Sequence, residues 1–136
     1  MSEVEREGGC FCGSVRYVAT GEPTTLCLCH CESCRFATGA PMVAWATFPK
    51  ANFRLLRGEP VEYASSPGVT RLHCADCGTS LAYSNQDRQA EIDVTIASFD
   101  NAAGLVPTAH VWVQDRLPWV TLADGLPQFA TTMDAK

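Results

Sequence analysis

Positive charge is scarce in this chain and nowhere does it gather. The 136 residues hold 10 Lys and Arg against 15 Asp and Glu, a formal net charge of −5. No Lys/Arg run offers a surface to nucleic acid or to an anionic membrane. Long apolar stretches are missing too: none approaches the ~18 residues a bilayer-spanning helix needs. The opening segment Met1-Ser2-Glu3-Val4-Glu5-Arg6-Glu7-Gly8-Gly9 is acidic and polar. It has neither the basic nor the apolar part of a secretory leader, so a cytoplasmic protein with no membrane partner is expected. Disorder is disfavoured, because charged residues are only 18% and apolar ones 46%.

Helical periodicity is also lacking. No window of about 11 residues or more carries a 3.6-residue apolar stripe. Instead, Gly and Pro punctuate short runs rich in Val, Ile, Thr and aromatics. These read as strands over Ser14–Ala19, Met42–Phe48, Phe53–Leu56, Val61–Ala64, Thr70–His73, Ser80–Tyr83, Glu91–Ala97 and His110–Val113. Short helical turns are expected over Ser33–Thr38 and around Ser98–Ala103. The length suits one domain over residues 1–136, mainly β.

What the chain does have is cysteine, eight in all and none after Cys77. In a reducing compartment such thiols point to metal ligation or reactivity rather than disulfides. They fall into three groups: Cys10-Phe11-Cys12-Gly13, then Cys27-Leu28-Cys29-His30-Cys31-Glu32-Ser33-Cys34, then Cys74-Ala75-Asp76-Cys77-Gly78. The first and third end in a glycine, which tolerates the positive φ of a turn that aims amides at sulfur. Cys10, Cys12, Cys74 and Cys77 are therefore expected to form one closed four-thiolate zinc site, structural because no coordination position stays free. In the middle group Cys29, Cys31 and Cys34 make a three-thiolate tripod. Three protein ligands with one open position is the pattern of a reactive zinc. A closed second site that recruits Cys27, a metal-free set of redox-active thiols, or His30 standing in for a sulfur are the alternatives. Cys34 at the start of a helical turn, with Arg35 beside it, would favour a thiolate.

Taken together, these motifs identify a resemblance. Gly8-Gly9-Cys10-Phe11-Cys12-Gly13-Ser14-Val15-Arg16-Tyr17, Cys29-His30-Cys31-Glu32-Ser33-Cys34-Arg35 with Gly39, and Arg71-Leu72-His73-Cys74-Ala75-Asp76-Cys77-Gly78-Thr79 resemble the three motifs of the glutathione-dependent formaldehyde-activating enzyme family, to which centromere protein V is also related. His110-Val111-Trp112-Val113, Trp119, Asp124-Gly125-Leu126-Pro127 and Phe129 are similar to its ending, so the likeness spans about Gly8 to Phe129. The resemblance implies a β-tent fold, twisted antiparallel sheets stitched by zinc knuckles. It implies zinc on Cys10, Cys12, Cys74 and Cys77 and a second, labile zinc on Cys29, Cys31 and Cys34. It also implies condensation of glutathione with formaldehyde to S-hydroxymethylglutathione, a carbon–sulfur lyase reaction run toward bond formation.

For that chemistry Arg35, or else Arg71, Arg16 or Lys50, would pair with the glutathione carboxylates. Trp45, Trp112 or Trp119 would wall the pocket, although core packing is the plainer role for each. His110 is a candidate for proton transfer, with a buried structural histidine as the plainer reading. A non-catalytic thiol carrier or a zinc-stabilised interaction module is the alternative function, and open strand edges are compatible with a homodimer. Reduction chemistry of the type-B methionine sulfoxide reductases is disfavoured, since it needs a late cysteine. A thioredoxin-like use of Cys31 and Cys34 lacks its βαβ setting.

Overall fold

The computed structural model describes residues 3–133. Its strands are β1 (Glu5–Gly9), β2 (Arg16–Thr20), β3 (Thr25–Cys29), β4 (Val43–Pro49), β5 (Phe53–Arg57), β6 (Val61–Ser66), β7 (Val69–His73), β8 (Ser80–Asn85), β9 (Glu91–Thr95) and β10 (Ala109–Val111). One α-helix, α1, covers Glu32–Thr38, and short 3₁₀ turns include Ile96–Ser98 and Ala102–Gly104. The expected mainly β class is what forms. Two strands escape the sequence pattern. β1 (Glu-Arg-Glu-Gly-Gly) has poor strand formers and is held by its ladder with β2. β3 carries its cysteines in alternation, so they read as ligands rather than as strand.

The strands make a three-stranded sheet, β1-β2-β5, and a seven-stranded sheet, β10-β3-β4-β9-β8-β7-β6. Pairing is antiparallel except where β10 joins β3 in parallel. Connectivity permits that exception, because parallel neighbours need a long crossover and β4 to β9 intervene between β3 and β10.

The seven-stranded sheet separates two environments by its period-two alternation. In β4, Ala46 and Phe48 turn to one side and are fully buried. They pack with Ile92, Val94, Leu81 and Ala82 of the same sheet and with Tyr17 and Ala19 of β2, which forms the main core. Phe99 lies across this layer, edge-on to Tyr17 at 5.2 Å and 5.9 Å from Phe48. The residues between these, Trp45 and Thr47 in β4 and Asp93 in β9, turn the other way. Register aligns Tyr63 with Arg71, Arg71 with Tyr83, Tyr83 with Asp93, Asp93 with Thr47 and Thr47 with Thr25. Cross-strand partners share a face, so this row of mostly polar side chains runs across the sheet. The row lines a cleft of about 1240 Å³, and α1 supplies the opposite wall with Glu32, Ser33 and Phe36.

Candidate metal centres and the cleft

Cysteine sulfurs gather at two places and all eight thiols are free of disulfides. At the first, Cys10, Cys12, Cys74 and Cys77 bring their sulfurs within 4.8 Å of one another. The first pair sits in the turn between β1 and β2 and the second in the turn between β7 and β8. The site therefore ties the small sheet to the large one. Gly13 and Gly78 adopt φ of +80° and +79°, the left-handed turn that was expected. Amides then point at sulfur: Val15 N donates to Cys10 Sγ at 3.2 Å, and Asp76 N and Cys77 N both donate to Cys74 Sγ at 3.4 Å.

Two hydroxyls complete the cage, and sequence reasoning overlooked both. Ser14 Oγ lies 3.1 Å from Cys12 Sγ and 3.2 Å from Cys74 Sγ, and Thr79 Oγ1 lies 3.1 Å from Cys77 Sγ. The signal was there: a hydroxyl residue directly follows the glycine in both Cys-Gly-Ser and Cys-Gly-Thr. Thr79 also accepts from Phe11 N at 3.0 Å, which joins the two turns. Electrostatics follow from these donors. The Thr79 hydroxyl above all brings the Cys77 thiol down to about 5. At Cys10 burial pushes upward, but the Val15 amide and neighbouring hydroxyl and thiol donors outweigh it and leave about 7.

Cys29, Cys31 and Cys34 form the second cluster, again within 4.8 Å. Cys27 stays out of it for a geometric reason. In β3 it points to the same side as Cys29, but two residues of extended chain span ~6.6 Å. A tetrahedral zinc with Zn–S near ~2.3 Å holds its sulfurs ~3.8 Å apart. The observed separations meet that figure in both clusters: 3.6 Å for Cys10–Cys12, 3.8 Å for Cys12–Cys74 and 3.6 Å for Cys29–Cys34. Both donor sets thus fit thiolate ligation of such an ion. The Cys27 thiol lines the cleft instead, pushed up to about 12 chiefly by burial.

The helix starts one residue earlier than expected. Cys31 occupies its N-cap, so Cys34 falls within the first turn, and Cys31 Sγ accepts from Cys34 N at 3.3 Å. Without metal the negative charge settles on Cys31. Its thiol is strongly lowered by hydrogen bonds from Cys29 and then Cys34, with the Cys34 amide and the Arg71 charge adding to them. Cys29 is raised because it donates to Cys31. Cys34 is raised as well, its bond with Cys29 being outweighed by Cys31 and burial. Ligation at this cluster must therefore release protons.

The remaining candidates sort by position. Trp45 is buried against the second cluster, and Trp112 packs on it with φ of +56°, a left-handed value unusual for a bulky residue. Both line the cleft, while Trp119 is 70% exposed and lies elsewhere. Arg71 lines the cleft; Arg35 sits on α1 outside the lining, its guanidinium 5.9 Å from the Phe36 ring centre. Arg16 pairs with Asp100 and Glu7, and Lys50 is exposed.

His30 is not a ligand. Its ring turns away from the sulfurs, and Nε2 lies 2.9 Å from Nδ1 of His110, whose Nε2 lies 2.7 Å from Asp124 Oδ2. A carboxylate can only accept, so His110 carries its proton on Nε2 and its Nδ1 accepts from His30 Nε2–H. Both imidazoles are thereby fixed as single tautomers, almost wholly buried. This chain ties the Cys29–Cys31 segment to β10 and to the segment that carries Asp124. His110→Phe keeps an aromatic ring but removes both bonds and strands a buried His30. We expect a loss of about 2–4 kcal/mol, read as a lower urea midpoint with unchanged slope.

Residues 5–115 match the family described as glutathione-dependent formaldehyde-activating enzyme (GFA). The chain belongs to that family. A relative from Schizosaccharomyces pombe, named an uncharacterized lyase, is 29% identical over 113 residues, covering 82% of this chain and 81% of that protein. A crystal structure of a Rhodobacter sphaeroides protein superimposes with a TM-score of 0.58 at 21% identity, over 90% of this chain and 98% of that one. At that identity the likeness speaks for the fold. Among the described residues no helix of this GFA chain is long and apolar enough to cross a membrane.

Proposed function

We propose that this protein is a zinc-dependent carbon–sulfur lyase-type enzyme that joins the glutathione thiol to formaldehyde, giving S-hydroxymethylglutathione. One observation carries the reading: the three-cysteine cluster lines a wide cleft, whereas the four-cysteine cluster has its full set of sulfurs. Family membership supports the substrates, and the yeast relative's description as a lyase supports the reaction class. Cys10, Cys12, Cys74 and Cys77 would hold a structural zinc, and Cys29, Cys31 and Cys34 a second. Zinc with an open position supplies electrophilic stabilisation that lowers the pKa of an incoming thiol.

The chemistry left to the protein is modest. The thiol gives up its proton, sulfur attacks the aldehyde carbon, a C–S bond forms as the C=O π bond opens, and the oxygen takes a proton. Nothing is oxidised or reduced. The chain's contribution is to orient two reactants in one cleft. Trp45 and Trp112 supply apolar walls beside the cluster, and the Thr47, Asp93 and Tyr83 row supplies polar ones.

The test is zinc per chain on protein purified without chelator, before and after glutathione and desalting. We expect about two ions, one of them removed or ligand-exchanged by glutathione, together with faster adduct formation by exchange NMR. A single ion indifferent to glutathione overturns the reading. Glutathione binding without acceleration points to a carrier of the thiol.

A further inference from the structure

Arg71 is a charged side chain with nothing to hold. It is only 8% exposed, yet it lines the cleft. Its Nη1 is buried with no hydrogen-bond partner. Among the described residues no carboxylate lies in ion-pair range of it, although the cleft contains several. Asp93 accepts from Arg88 at 2.7 Å and from the Thr47 hydroxyl at 2.6 Å. Glu91 takes a further contact from Arg88 at 3.3 Å. Asp115 accepts from the Glu32 amide on the far wall. The cleft's other lining cation, Arg88, is thus committed, and Arg71 is not.

The sheet holds Arg71 in place. Its β6 and β8 partners are Tyr63 and Tyr83, and its guanidinium carbon stands 4.9 Å from the Tyr83 ring centre. This cation–π contact steadies the guanidinium without using its N–H donors, which stay free for a ligand. A buried, unpaired guanidinium is costly unless something accepts from it. Arg71 shares the lining of one cleft with Cys29, Cys31 and Cys34.

We propose that Arg71 is the carboxylate anchor of the cleft, selecting ligands that carry an anionic carboxylate beside their thiol. The inference rests on the thiol–aldehyde reading for the identity of the ligand but not for the anion site. An arginine fork takes a carboxylate through two parallel N–H bonds. Tyr83 and Tyr63 flank that contact. A carboxylate seated there leaves the rest of a peptide-sized thiol to extend along the sheet row toward the cysteines.

The experiment is isothermal titration of the zinc-loaded protein with glutathione, glutathione diethyl ester and S-methylglutathione, on the wild type, Arg71→Gln and Arg71→Lys, with zinc counted in each. We expect the wild type to prefer glutathione over the diester by about tenfold or more. Arg71→Gln should erase that preference with zinc content unchanged, and Arg71→Lys should keep part of it. S-methylglutathione, which has the carboxylates but no free thiol, separates the two ideas. If it binds in an Arg71-dependent way while the protein fails to accelerate the condensation of glutathione itself with formaldehyde, the anchor stands and the enzymatic reading falls. A preference that survives in Arg71→Gln overturns the anchor. So does a wild type that binds acid and ester alike or not at all. Loss of one zinc in Arg71→Gln also overturns it, because the charge would then serve the cysteine thiolates.

Discussion

Cys31→Ser should leave about one zinc per chain in place of about two and abolish catalysed adduct formation while the protein stays folded. The substitution is informative because serine preserves the structural half of the residue's role. Cys31 caps α1 by accepting from the Cys34 amide, and a serine hydroxyl is among the best acceptors at that position. What it removes is the sulfur on which negative charge concentrates in this cluster. An alcohol does not ionise near neutral pH, so only Cys29 and Cys34 remain as thiolate donors. Two sulfurs at 3.6 Å do not make a site that survives desalting. The melting temperature should move by no more than a few degrees, within ~1 kcal/mol, since the cluster lies outside the main core. Zinc analysis, circular dichroism and the adduct assay on the same sample decide the matter. Undiminished turnover in a variant with one zinc removes the second cluster from the chemistry. A collapse of the fold shows that the cluster is a second structural clasp.

The two clusters were legible in the sequence to different depths, for physical reasons. The four-cysteine site could be read because its ligands come as local pairs, each followed by a glycine that permits the turn, and turns are decided locally. In the middle group spacing alone left Cys27 open. Its exclusion needed the knowledge that Thr25–Cys29 is a strand, which sets adjacent same-face sulfurs too far apart. The helix register is a similar case: a start at Ser33 or at Glu32 decides whether Glu32 or Cys31 takes the cap, and local pattern is too coarse for that. The cleft was not readable at all. Its polar row joins residues from six strands whose order in the sheet departs from chain order. Arg71 is one of four candidate cations in the sequence, behind Arg35, and only its register with Tyr63 and Tyr83 sets it apart. The coupling of His30 to His110 bridges 80 residues, and that of His110 to Asp124 another 14; neither leaves a local signature.

Cys74→Ser should have the larger structural effect, loss of the folded state rather than of one function. Cys74 is 1% exposed, belongs to the main core and takes two amide hydrogen bonds on its sulfur. The site it completes joins turns 62 residues apart and holds the three-stranded sheet on the seven-stranded one. Structural zinc in small thiolate sites contributes an apparent ~10–16 kcal/mol, whereas a domain of this size is stable by only ~5–15 kcal/mol. Loss of the ion therefore exceeds or matches the whole margin. We expect Cys74→Ser to be insoluble or to lack a cooperative thermal transition, and a strong chelator to unfold the wild type with both ions released. Acid should act in the same direction. Cys10 and Cys77 are held below their ordinary value of 9.0, at about 7 and about 5. For a depressed acid the stabilisation is complete above the ordinary value and disappears as pH falls through the folded one. This thiol contribution should accordingly shrink as pH falls below about 9, fastest between about 9 and 7, where both groups take up protons, and more gently on to about 5, where only Cys77 does. Phe11→Ser is the control, since Phe11 lies between two ligands yet is 95% exposed and should change neither zinc content nor melting. A Cys74→Ser protein that melts like the wild type would mean that the apolar layer between the sheets holds the fold without its clasp.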